Sequence, residues 1–295
     1  MAALGANLGI AVTKFAAFAL TGSSSMLAEA IHSVADSANQ VLLLVGGRRS
    51  ERGETEKHPF GYGRERYLYA FVVSVVLFSV GGLFAVYEGF HKITHPEPIH
   101  GWEWVPIAVL VVALVLEGLS FRTAIRETNL IRAGASWGSF IRHARAPELP
   151  VILLEDFAAL VGLVLALLGV SLTLITGDGI WDGVGTLAIG VLLVLVAAVL
   201  AVETKSLLIG ESATGEQIEA IERAIDDEAG LCRLIHLRTL HLGPEELLVA
   251  AKIAVPAGDS ARAVAEAIDG AEARIRSAVP IARVIYLEPD IDRGA

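Results

Sequence analysis

The sequence predicts a membrane bundle of six helices followed by a small α+β domain, and three observations carry that expectation. Six apolar stretches approach or reach the roughly 20 residues that a spanning helix needs. Only 19% of the residues are charged, against about 25% in soluble domains, and mean hydropathy is +0.60. Near residue 210 the long apolar runs stop and short periodic segments replace them. The expected division is therefore 1–209 for a transmembrane domain and 210–295 for a tail.

The first span runs from Leu4 to Leu20 and ends at Thr21-Gly22-Ser23-Ser24-Ser25. It lacks a basic leader and carries Lys14 in its middle, which predicts a retained span and not a cleaved signal peptide. Met26–Gly47 is the second, Tyr67–Phe90 the third, Trp104–Phe121 the fourth, Leu149–Ile175 the fifth and Trp181–Val202 the sixth. Trp102, Trp104 and Trp181 stand near span ends, where amphipathic rings settle at lipid headgroups. Basic residues gather in the loop after span two (Arg48, Arg49, Arg52, Lys57, Arg64, Arg66) and after span four (Arg122, Arg126, Arg132, Arg142, Arg145). The positive-inside rule makes those loops, and hence both termini, cytoplasmic. Between spans four and five, Trp137, Phe140 and Ile141 alternate with Arg132, Arg142 and His143, as either a short surface helix or a polar loop.

In the tail, Glu216–Asp227 is helical by period, with Ile218, Ile221 and Ile225 on one face. Leu234–His241 and Glu246–Val255 alternate as strands around a Gly243-Pro244 turn. Asp259 opens a second helix leading to Ile275, and Ala282–Leu287 is a last strand. The order α-β-β-α-β is that of a ferredoxin-like domain. A domain of this size has a modest core and gains stability by pairing with a second copy, so a homodimer is expected. The net charge of −10 argues against nucleic acid as a partner. A single cysteine, Cys232, permits no intrachain disulfide, so metal chemistry must rest on His, Asp and Glu.

Ionisable groups inside an apolar span cost several kcal/mol, about 2.5–3.5 on insertion scales, and are kept for a pathway or a ligand. Span two contains Glu29, His32 and Asp36, the last two one helical turn apart on one face. An imidazole and a carboxylate so placed can hold a divalent cation. They can equally bond each other as a buried pair. Span five repeats the anomaly with Glu155 and Asp156, which point about 100° apart on a helix. Asp156 is the first choice as a ligand; Glu155 is either a fourth ligand or the partner of a basic group. A third possibility is an acid pair at the cytoplasmic interface near Pro147 and Pro150. Ser24 and Ser33 lie near His32, but neither a G-x-S-x-G elbow nor an H-E-x-x-H helix is present, so an intramembrane hydrolase is not expected.

Taken in order, the motifs Thr21-Gly22-Ser23-Ser24-Ser25-Met26 through His32-Ser33-Val34-Ala35-Asp36, then His58-Pro59-Phe60-Gly61-Tyr62-Gly63-Arg64-Glu65, resemble the cation diffusion facilitator family of divalent-metal transporters. Asp182-Gly183 opening span six, Glu203–Ser212 closing it, and Tyr286-Leu287-Glu288-Pro289 extend the resemblance over nearly the full length. Leu154-Glu155-Asp156 with Asn39-Gln40 is similar to the branch that includes the mitochondrial zinc exporter. The resemblance implies a multi-pass transporter and not an enzyme, with a metal site from His32, Asp36, Asp156 and Glu155. It implies no bound cofactor, with Zn2+ (or Mn2+, Fe2+, Co2+) as cargo, and exchange for protons. It further implies a homodimer in the lipid bilayer of a bacterial plasma membrane, with a cytoplasmic tail. Three positions depart from the pattern. Ile152 stands where span five usually carries a ligand, Tyr62 where a second loop histidine is common, and Ala251 where a tail ligand is expected. A non-transporting sensor or scaffold therefore stays beside the transporter reading. In the tail, His236 and His241 read as solvated strand residues.

Overall fold

The computed structural model describes residues 2–99, 102–132, 134, 136–226 and 233–291, and the side chains within this set except those of 2–7 and 143. The chain divides into two compact units, residues 1–48 with 66–205, and residues 49–65 with 206–295. The Arg-rich segment after the second span thus groups with the tail.

The first unit holds α1 (Ala2–Thr21), α2 (Ser24–Ser50), α3 (Glu65–Val76), α4 (Phe84–Thr94), α5 (Trp104–Ile131), α6 (Trp137–His143), α7 (Glu148–Thr176) and α8 (Ile180–Ile209). A π-helical segment, Leu77–Leu83, joins α3 to α4, so Glu65–Thr94 is one continuous span. That span, α5, α7 and α8 are long and apolar enough to cross a membrane. In α1 the apolar stretch over described residues is shorter, Leu8–Thr21. α2 fails on composition because its buried face is polar, from Glu29 and His32 through Asn39. Outward-facing Val112, Val115, Leu168, Leu195 and Val199 are exposed, as lipid-facing positions require. Leu77, Leu110, Leu163, Ile189 and Leu193 fill the interior.

Two local features position the site. Gly22, at φ 67, turns the chain between α1 and α2. Asp182 of α8 then caps α2: its Oδ2 accepts from Ser24 N at 2.7 Å and its Oδ1 from Ser25 N at 3.2 Å and Ser23 Oγ at 2.9 Å. A carboxylate at a helix N-terminus satisfies free N–H groups and opposes the helix dipole. The second feature is close helix approach. A Cβ on Gly82 would meet Val194 Cγ2 at 2.8 Å, and one on Gly190 would meet Val86 N at 2.5 Å. Small residues at such crossings let backbones touch. The sequence predicts an unbroken third helix, and the π-helical segment is the difference. It surrounds Gly81 and Gly82, where close packing on Leu193 and Val194 displaces the ordinary hydrogen-bond ladder.

The segment between spans four and five settles as a helix, α6, capped by Ser136 Oγ accepting from Ser139 N at 3.2 Å. The Arg132 guanidinium lies 4.4 Å from the centroid of the Trp137 ring, a cation–π contact that anchors its start.

The second unit is α+β: α9 (Gly215–Ile225), β1 (Arg233–Gly243), β2 (Glu246–Val255), α10 (Ala261–Ala278) and β3 (Ala282–Ile291). β2 is central, antiparallel to β1 and parallel to β3. Ile221, Ile225, Leu247, Val249, Ile253 and Ile275 form its core. A capping box between Thr214 and Gln217 starts α9. The helix stops at Ile225 instead of Asp227, since the Asp226 carboxylate accepts from Leu234 N at 2.9 Å; Asp227 and Cys232 lie outside the described residues. Ser260, not Asp259, caps α10, accepting from Ala263 N at 3.2 Å. β3 runs on to Ile291 because Pro289 needs no N–H on an edge strand. His236 is exposed and accepts from Arg238 Nε at 2.9 Å. His241 corrects the expectation of a solvated residue: it is 1% exposed at the β1 end, with Nδ1 3.3 Å from Gly243 O. The His58 and Tyr62 rings meet tilted at 54°, 4.6 Å between centroids.

Candidate metal site

The helical repeat gathers Glu29, His32, Ser33, Asp36 and Asn39 into one stripe along α2, while Val34, Val41 and Leu44 face outward. Glu29, His32, Ser33 and Asn39 are buried. His32 Nδ1 lies 3.5 Å from Asp36 Oδ1. Among the described residues, neither ring nitrogen of His32 has a hydrogen-bond partner, and Asp36 Oδ1 and Asn39 Oδ1 have none either. Buried donors and acceptors normally find partners, so this cluster of open atoms sets the face apart from an ordinary packed helix surface. Gly81 in the π-helical segment lines the same spot, its would-be Cβ 3.9 Å from His32 Nδ1.

Across from this stripe stands α7. Asn39 Nδ2 donates to Glu155 Oε1 at 2.5 Å. Glu155 is thus the acid that reaches the motif helix, and its partner is an amide, not a basic group. Asp156 points elsewhere: its Oδ2 accepts from Ser120 Oγ of α5 at 3.2 Å. The charge of Asp36 still acts on both Glu155 and Asp156. Among the described residues, no three His, Cys, Asp or Glu side chains gather closely enough to hold an ion. The four expected residues share a neighbourhood, in two halves: His32 with Asp36 on α2, and Glu155 with Asp156 on α7.

Two residues that sequence reasoning gave no role also belong to this neighbourhood. Glu117 of α5 sits one turn before Ser120; its charge acts on His32 and Asp156, and the charge of Asp36 acts on it. A lone acid in the run Val111–Leu119 was the available signal. Lys14 of α1 is 1% exposed and bonds Glu29 Oε2 at 2.9 Å and Ser33 Oγ at 2.8 Å.

A buried imidazole and several carboxylates on neighbouring spans offer nitrogen and oxygen donors of the kind that take zinc-type cations. The family model for the cation efflux transmembrane domain matches residues 1–209. The chain belongs to the cation efflux family. This member of the family is a multi-pass membrane protein. It is 34% identical over 232 residues to the human proton-coupled zinc antiporter SLC30A9, mitochondrial, covering 78% of this chain and 41% of that protein. It is 27% identical over 253 residues to metal tolerance protein C4 of Arabidopsis thaliana, covering 85% and 55% respectively. With the cation-efflux pump FieF of Pectobacterium atrosepticum it shares 26% over 240 residues, covering 80% and 74%. The chain spans about two fifths of the length of the zinc antiporters it matches.

Proposed function

We propose that this cation efflux family member carries divalent cations, zinc foremost, across a membrane and exports them from the cytoplasm in exchange for protons. The observation that carries the reading is the open-handed pair of buried His32 and half-buried Asp36 on α2, beside Asn39 of the same helix, which reaches Glu155 across the α2–α7 interface. His32, Asp36, Asp156 and Glu155 are the proposed ligands.

Metal binding needs a neutral imidazole and ionised carboxylates, so loading the site releases protons and unloading it takes them up. That linkage couples the two fluxes without a further device. The two half-sites sit on different helices. A small relative movement of α2 and α7 brings them together around an ion that has lost water, and the reverse movement releases it. Rocking of helices about a midplane site is the usual route to alternating access. Residues 1–209 are the proposed transmembrane domain and 210–295 the cytoplasmic domain, with both termini cytoplasmic, the tail pairing two copies, and a bacterial plasma membrane as the setting. The protein performs no covalent chemistry in this scheme.

The test is zinc uptake by proteoliposomes containing the full chain, with and without a pH gradient. Uptake that responds to the gradient and is lost in Asp36→Ala supports the reading. Uptake indifferent to the gradient removes proton coupling. A second reading, a sensor or scaffold without transport, draws on Ile152 and on the two separate half-sites. It requires wild type and Asp36→Ala to be equally inactive.

A further inference from the structure

Lys14 lies deep in the bundle and outside the proposed ligand set. Its ammonium group crosses from α1 to α2 and is held by Glu29 Oε2 at 2.9 Å and Ser33 Oγ at 2.8 Å. Exposure is 1% for Lys14 and 0% for Glu29. Two charges so buried are retained only when paired, and removing one partner strands the other. The position of the pair matters. Glu29 is one turn before His32 and Ser33 is the residue after it, so the pair flanks the imidazole. Lys14 engages only one oxygen of the carboxylate. The other, Oε1, is buried without a hydrogen-bond partner among the described residues and lies 2.8 Å from where a Cβ on Gly162 of α7 would stand. Glu29 is therefore an acid beside the metal-binding helix face, with one oxygen open and its charge matched by a lysine. The charges of both residues act on His32 and Asp36, and on Glu117 of α5.

We propose that Lys14 and Glu29 form a built-in charge pair that sets how tightly the neighbouring His32–Asp36 site holds its divalent cation. The inference rests on the transport reading above. Lys14 is a positioning residue: it touches no cargo, but it holds Glu29 to one side and cancels its field. Without the lysine, the site gains an uncompensated negative charge, so the cation binds more tightly and leaves more slowly. Without the glutamate, a bare ammonium repels the cation. A divalent ion about 10 Å from one unit charge, at an effective dielectric of about 20, responds by tenfold or more in affinity.

The test uses the full-length protein, with zinc affinity measured by competition against a chromogenic chelator and zinc uptake measured in proteoliposomes. Lys14→Met is expected to lower KM and kcat together, each by about tenfold. Glu29→Gln is expected to raise KM by about tenfold. The double variant, charge-balanced again, returns to within about threefold of wild type, and Lys14→Arg stays close to it. Size-exclusion profiles check folding; if Lys14→Met fails there, Lys14→Gln, which keeps a donor for Ser33, takes its place. The inference is overturned if both single variants shift KM in the same direction, if neither shifts it, or if the double variant is worse than either single one. A merely structural pair gives the first of these patterns. A wild-type chain that neither binds nor carries zinc overturns the transport reading and this inference with it. A transporting wild type with unmoved variants overturns this inference alone.

Discussion

Asn39 of the second span donates its amide proton to Glu155 of the fifth at 2.5 Å. The bond crosses the helix interface one turn from Asp36 and picks out Glu155, not its neighbour Asp156, as the acid facing the motif helix.

That choice separates the two acids by experiment. Glu155→Gln keeps the bond to Asn39 but removes a charge from the α2 face, and zinc affinity should fall by about tenfold or more. Asp156→Asn, whose partner is Ser120 on α5, should cost distinctly less. Titration of purified variants against a chelator decides it, and the reverse ranking would return Asp156 to first place.

The Asp182 cap should be a main support of α2. Asp182→Ala leaves Ser24 N and Ser25 N without their carboxylate in a buried setting. Charge-assisted hydrogen bonds are worth about 1.5–3 kcal/mol each. Heating in detergent followed by size-exclusion should show a clear loss of the folded peak. Asp182→Asn, which keeps acceptor oxygen, should lose less. Equal peaks for Asp182→Ala and wild type would show that the cap is dispensable.

Glycine substitutions should divide by location. In Gly190→Ala the new methyl group would stand 2.5 Å from Val86 N, a backbone atom that cannot turn aside. The third and sixth spans must part, at a cost of about 1–3 kcal/mol. Gly9→Ala on α1 meets nothing within 4 Å among the described residues and should gain about 0.5–1 kcal/mol from helix propensity. The same thermal assay reads both, and a shift of equal sign in the two would contradict the packing described.

Glu246, at the start of β2, has its carboxyl raised above the ordinary range by burial, with Glu54 adding to the shift and Arg283 opposing it. The folded state therefore holds the proton more strongly than the unfolded one. Stability contributed by the protonated form is present at low pH and is lost as pH rises through the folded-state value. Glu246→Gln should accordingly protect the Leu247 amide, bonded to Ile281 O at 2.7 Å, more than wild type does at pH 7. That difference should close near about pH 4, where the wild-type carboxyl is itself protonated. Hydrogen exchange measures it, and slower exchange in wild type at pH 7 would reverse the assignment.

Much of this molecule was legible in the chain. Apolar runs and their polar interruptions marked the spans, because lipid tolerates few ionised groups and each exception stands out. The three-four spacing of Glu29, His32, Asp36 and Asn39 was enough to put them on one helix face. Alternation in Leu234–His241 and Glu246–Val255 was enough for two paired strands. Less was legible where one residue answers to another far along the chain. Glu117 looked like an isolated acid, and Lys14 like a blemish in an apolar run. His241 looked like any polar strand residue until the end of β1 closed over it.

From the sequence alone come the apolar spans, the motif helix and its His32–Asp36 pair, the α+β tail and the family. These depend on local periodicity and on the transfer cost of single side chains, which neighbours in the chain already decide. Only the tertiary structure decides that Glu155 and not Asp156 meets Asn39, that Asp182 caps α2, and that Lys14 answers Glu29. Those pairings depend on the rotation and approach of packed helices, set by contacts between Gly82, Gly190 and their partners, and no periodic pattern within one segment encodes such an angle.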